Sequence, residues 1–122
     1  MRERVNLMAT STVIGTAPAS IDLQVYQGDD FFLEIDVDDS VVPIDLTNYI
    51  AKAEIRSAPG GSLLATFDPT VVDPTTILLH LTAVQSVKLT KTSSWDVQVT
   101  DPAGVVTTLA YGHVTVILEV TQ

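Results

Sequence analysis

The chain has 122 residues, 46% of them hydrophobic and 17% charged, which suits one domain with one core and excludes a disordered chain. Six basic residues face fifteen acidic ones, a net charge of −9 that excludes binding to nucleic acid or anionic membranes through a basic surface. With no cysteine, the fold cannot rest on disulfides, and any metal site would need oxygen and histidine ligands.

Arg2 and Arg4 precede a mildly apolar run, Val5 to Ile14, and Ala17-Pro18-Ala19 loosely follows the layout of a cleaved leader. Glu3 in the charged region, and Asn6, Thr10, Ser11 and Thr12 in the apolar run, argue against that reading. Residues 1–20 instead read as an extended N-terminal arm, rich in small and β-branched residues and without a helical face. No stretch approaches the roughly 18 apolar residues that a membrane-spanning helix needs.

From residue 21 to 122 the pattern is that of a β-sandwich domain. Apolar residues recur with period two, which places them on one face of a strand. Ile21–Tyr26 presents Ile21, Leu23 and Val25. Phe31–Val37 presents Phe31, Leu33, Ile35 and Val37. Ile50–Arg56 turns Ala51, Ala53 and Ile55 inward and Lys52, Glu54 and Arg56 outward. Leu63–Phe67 is a weaker strand. Ile77–Leu81 is almost continuously apolar, as a central strand would be. Thr82 begins a short helical segment that runs to Leu89, with Ala83, Val84, Val87 and, at its end, Leu89 as its apolar positions. Ser94–Thr100 turns Trp95, Val97 and Val99 inward. Val105–Tyr111 and His113–Val120 follow as two further strands, the second with Val114, Val116, Leu118 and Val120 inside.

Turn chemistry separates these runs. Gln27-Gly28-Asp29-Asp30, Asp38-Asp39-Ser40, Asp45 to Tyr49, Pro59-Gly60-Gly61, Asp68-Pro69, Asp73-Pro74 and Asp101-Pro102-Ala103-Gly104 are all turn formers. Strands at this spacing read as an all-β sandwich or barrel, with one short helical turn.

No residue stands out as catalytic, and no cofactor or metal site is expected. His80 and His113 have no histidine partner at metal-ligand spacing and read as ordinary strand histidines. Asp29-Asp30 and Asp36-x-Asp38-Asp39 could offer oxygens to calcium. The second cluster lacks the glycine and distal glutamate of a calcium loop, and aspartates belong in turns for structural reasons. Trp95, the single tryptophan, lies on an alternating strand and is expected in the core.

Tyr26-Gln27-Gly28-Asp29-Asp30-Phe31 leads an ordered series of segments. Pro43-Ile44-Asp45-Leu46-Thr47-Asn48-Tyr49 follows, and then Ala51 to Arg56. Ile77 to Ala83 and Trp95 to Thr100 come next. Asp101-Pro102-Ala103-Gly104, Gly112 to Val116 and Glu119 to Thr121 close the chain. This order resembles small phage and prophage proteins related to the N-terminal domain of the phage baseplate upper protein. The resemblance spans about residues 21–121. It implies an all-β, immunoglobulin-like antiparallel β-sandwich of about seven to nine strands that attaches receptor-binding or fibre parts to a virion. Because the sequence stops at Gln122, without a fibre or coiled-coil region, a stand-alone adaptor, tail or capsid-surface subunit is favoured over a complete fibre.

The implied function is a non-enzymatic structural component of a bacteriophage virion, a tail, baseplate or fibre-anchoring subunit made in the host cytoplasm. Its implied partners are other phage structural proteins and copies of itself, with no nucleic acid and no membrane insertion. A capsid decoration protein is the structural alternative. A glycan-binding module is the alternative from another class, opposed by the scarcity of aromatic residues.

Overall fold

Alternating apolar side chains bury one face of each strand, so two such sheets must stack face to face. A computed structural model of the chain describes residues 7–13, 17–39, 42–43 and 45–120, and shows this arrangement. The strands are β1 (Leu7–Val13), β2 (Ala19–Ser20), β3 (Leu23–Tyr26), β4 (Phe31–Asp39), β5 (Val42–Pro43) and β6 (Ile50–Arg56). They continue with β7 (Leu63–Thr66), β8 (Asp68–Asp73), β9 (Thr76–Leu81), β10 (Ser93–Thr100) and β11 (Val106–Ile117), with helix α1 (Ala83–Ser86) between β9 and β10. Arg2, Arg4, Ile14, Ser40, Ile44 and Thr121, which figure in the sequence reading, lie outside the described residues, as do the carboxylates of Asp38 and Asp39.

One sheet runs β1-β4-β9-β8, with β5 added to the end of β4. The other runs β2-β11-β10-β6-β7, with β3 also on β11. The protein is therefore an all-β sandwich, and this sheet order has the immunoglobulin-like plan of facing B-E-D and C-F-G strands. The long ladders β4–β9, β6–β10 and β10–β11 are antiparallel. β1 on β4, and β2 and β3 on β11, are parallel, so both sheets are mixed.

The core follows the alternation. Phe31, Leu33, Ile35 and Val37 of β4 meet Ala53 and Ile55 of β6 and Trp95, Val97 and Val99 of β10, all buried. Each fully buried large apolar side chain contributes about 1.5–3 kcal/mol. β9 is central, between β4 and β8, as its continuous apolarity predicts.

Besides these parallel pairings, where an antiparallel sandwich is expected, the structure departs from the sequence reading in four places. Asp68-Pro69 does not turn; it begins β8, whose six residues are all exposed. A proline is tolerated there because β8 is an edge strand, where a missing N–H removes no ladder bond. The two expected last strands are one strand, β11, which continues through Gly112. Leu118 and Val120 are exposed, not inside. β11 ends where its neighbour ends, at the Ile117–Tyr26 pair, and the chain beyond has no strand to lie on. In α1, Val84 and Val87 are exposed, and the segment turns Ser86 and Leu89 inward.

Candidate functional site

The outward residues of β6, β10 and β11 form a polar grid, because antiparallel register sets them side by side. Three rows cross the sheet: Arg56–Ser94–His113, Glu54–Asp96–Tyr111 and Lys52–Gln98–Thr108. The β6–β7 hairpin at Ala58-Pro59-Gly60 walls one side of this face, and Ser20 and Asp22 wall the other. The resulting groove encloses about 460 Å³.

Its charges are unevenly satisfied. Arg56 donates from Nη2 and Nε to Glu54 Oε1 at 2.9 and 3.2 Å, and from Nη1 to the Gly61 carbonyl at 2.9 Å. Lys52 Nζ lies 3.5 Å from Glu54 Oε2. The Arg56 hydrogen bonds hold the Glu54 carboxyl below its ordinary range. The Asp96 carboxyl, directly across from Glu54, is pushed up, first by burial and then by the Glu54 charge, against a smaller opposing pull from the Arg56 charge. Asp96 has no hydrogen-bond or ion-pair partner among the described residues. Asp22 is engaged: its Oδ1 accepts the His113 backbone N–H at 3.0 Å.

Both oxygens of Glu54 are committed to cations, so Glu54 and Asp96 do not make a free acid–base pair. The groove offers instead one partly buried carboxylate without an ion pair, beside a half-exposed aromatic ring, which is binding chemistry. Sequence reasoning missed it. The outward residues were visible strand by strand, but which of them share a row depends on register.

The residues singled out in the sequence have framework roles. Trp95 is buried and donates from Nε1 to the Ile21 carbonyl at 2.8 Å. His80 Nε2 lies 2.8 Å from Asp30 Oδ1, and the imidazole stacks on Phe32 with ring centroids 4.3 Å apart. Asp30 Oδ1 also accepts the Ala83 N–H that opens α1, at 3.2 Å. Asp36 Oδ1 accepts the Thr76 hydroxyl at 2.6 Å. The two histidines occupy different sheets, His80 on β9 and His113 on β11. Among the described residues no three His, Asp or Glu side chains cluster as metal ligands.

The Gln27 to Asp30 turn is a clamp on α1. Gln27 Nε2 donates to the Leu89 and Val87 carbonyls at 2.9 and 3.3 Å, and its Oε1 accepts the Glu119 N–H at 3.3 Å. Ser86, fully buried, donates its hydroxyl to the Asp29 carbonyl at 2.7 Å and accepts the Gly28 N–H at 3.0 Å. This network ties the β3–β4 turn, the helix and the C-terminal segment together at one end of the sandwich.

No family model matches the sequence. No curated protein matches it either. Among solved structures, the chain is similar to the cysteine protease inhibitor EhICP2 of Entamoeba histolytica, with 13% identity and a TM-score of 0.46, over 93% of this chain and all of that one. It is also similar to the bradyzoite-specific antigen BSR4 of Toxoplasma gondii, with 13% identity and a TM-score of 0.38, over 85% of this chain and 44% of that one. Likenesses this distant carry no argument about function.

Proposed function

We propose that this chain is a non-enzymatic structural subunit of a bacteriophage virion, an adaptor of the tail, baseplate or fibre-anchoring kind. It acts through contacts with other virion proteins and with copies of itself. The observation that carries the reading is the contrast between the two edges of the β1-β4-β9-β8 sheet. The β8 edge bears Asp68, Pro69 and Asp73, the residue types that keep an edge from pairing. β1 bears neither charge nor proline over Leu7–Val13, and among the described residues it pairs with β4 alone. A strand edge without charge or proline is a template for an added strand from a neighbour. In a symmetric particle such a contact is repeated, so weak single contacts add up to stable assembly.

The resemblance of residues 21–121 to baseplate upper protein domains supports the same reading. The test is particle assembly with a chain lacking residues 1–13, its folding checked by Trp95 emission. The expected result is a folded chain that no longer enters particles. Unimpaired entry would overturn the role of β1. Antibody-gold label over the tail supports the adaptor, label over the head would replace it with capsid decoration, and label on no particle would remove the virion reading.

A further inference from the structure

We infer that the groove on the outer face of β6, β10 and β11 receives a cationic side chain, a lysine or arginine of a partner protein's basic segment, seated between the Asp96 carboxylate and the Tyr111 ring. The register carries the inference. Glu54 and Asp96 stand directly opposite each other, and like charges so placed destabilise a sheet. Glu54 is ion-paired with Lys52 and Arg56, whereas Asp96 has no hydrogen bond or ion pair among the described residues and feels the Arg56 charge only at longer range. Tyr111 is paired with Asp96 on its other side and is 48% exposed.

A carboxylate beside an accessible phenol ring is the arrangement that recognises a cation, through a charge-assisted hydrogen bond and attraction to the ring face. Burial raises the Asp96 pKa, and an incoming cation offsets both that cost and the repulsion from Glu54. The groove has room for a long side chain. With a net charge of −9, the chain also attracts a basic partner at long range. This inference stands apart from the virion reading, since it concerns the isolated chain in solution.

The test is an NMR titration of the ¹⁵N-labelled full chain with the peptide acetyl-Gly-Arg-Gly-amide, with the citrulline peptide as its uncharged twin. Saturable shifts are expected at the amides of residues 94–98 and 111–113, and they should fade as salt rises. Asp96→Asn should weaken binding about tenfold and Tyr111→Leu about threefold. Unchanged amide dispersion would show that both variants remain folded. No shifts with the arginine peptide, equal shifts with the citrulline peptide, or undiminished binding by Asp96→Asn would each overturn the inference. So would shifts at these amides with N-acetylglucosamine where the arginine peptide gives none, which would make the groove a saccharide site.

Discussion

The indole N–H of Trp95 reaches the carbonyl oxygen of Ile21 across 2.8 Å, and Gly112 is what lets them meet. Gly112 is the cross-strand partner of Trp95, and a Cβ on it would land on the Ile21 carbonyl. The Ile21 N–H in turn donates to the Tyr111 carbonyl at 2.8 Å, so the chain between β2 and β3 is pinned on both sides. Gly112→Ala should therefore cost about 2 kcal/mol or more in urea unfolding, because backbone, not a movable side chain, blocks the methyl group. Gly28→Ala is the contrast. There the new Cβ meets the end of the flexible Glu119 side chain, and the cost is the positive φ of +88°, about 1–2 kcal/mol.

Ser86→Ala should destabilise by about 1–3 kcal/mol despite changing one atom. The hydroxyl serves the Gly28 N–H and the Asp29 carbonyl together, and neither regains a partner inside the protein. Hydrogen exchange should show the loss concentrated in residues 27–30 and 83–89, with β6 and β10 protected as before.

Asp96→Asn should stabilise the isolated chain at neutral pH by about 0.2–1 kcal/mol, the usual scale for opposed like charges in a sheet. The sign follows from the raised pKa. A carboxyl that holds its proton more tightly when folded favours the fold below its ordinary value of 3.8, and that contribution disappears as pH rises through the folded-state value. The Tm difference between variant and wild type should thus grow from acid to neutral pH. A constant difference would show that the charge on Asp96 costs nothing. The same substitution is expected to weaken binding of the arginine peptide, so stability and binding should move in opposite directions.

Millimolar calcium should leave the Tm unchanged and give no heat of binding. Asp30 is committed to His80 and to the first amide of α1, and Asp36 to Thr76. Calcium needs six to eight oxygens drawn together, and these aspartates spend theirs on the framework. A calcium-dependent rise in Tm would show that the acidic turns do more than hold the fold.

Removal of residues 1–13 should leave β4 with a bare flank, and at high concentration the truncated chain should self-associate more than the full one. Sedimentation at two concentrations would read this directly. A truncated chain that stays monomeric would show that the flank of β4 is not adhesive.

Most of what the structure shares with the sequence reading rests on local patterns. The buried faces of β4, β6 and β10, the core position of Trp95, the Thr82 cap on α1 and the Asp101 to Gly104 turn all rest on period, capping or turn chemistry within a few residues. Those signals are local because backbone sterics and side-chain alternation are local.

What escaped such reading depends on partners far away in sequence. β8 exists because β9 is there to pair with it, and its exposed residues carry no apolar alternation to announce it. Leu118 and Val120 look like core residues until the end of β3 shows that nothing covers them. The groove arises from the alignment of β6 with β10 and of β10 with β11, where a bulge between Val97 and Gln98 shifts the register. Since a one-residue slip sends every side chain to the opposite face, the neighbours of Asp96 are settled by how whole strands dock, a choice made by the packing of the entire core.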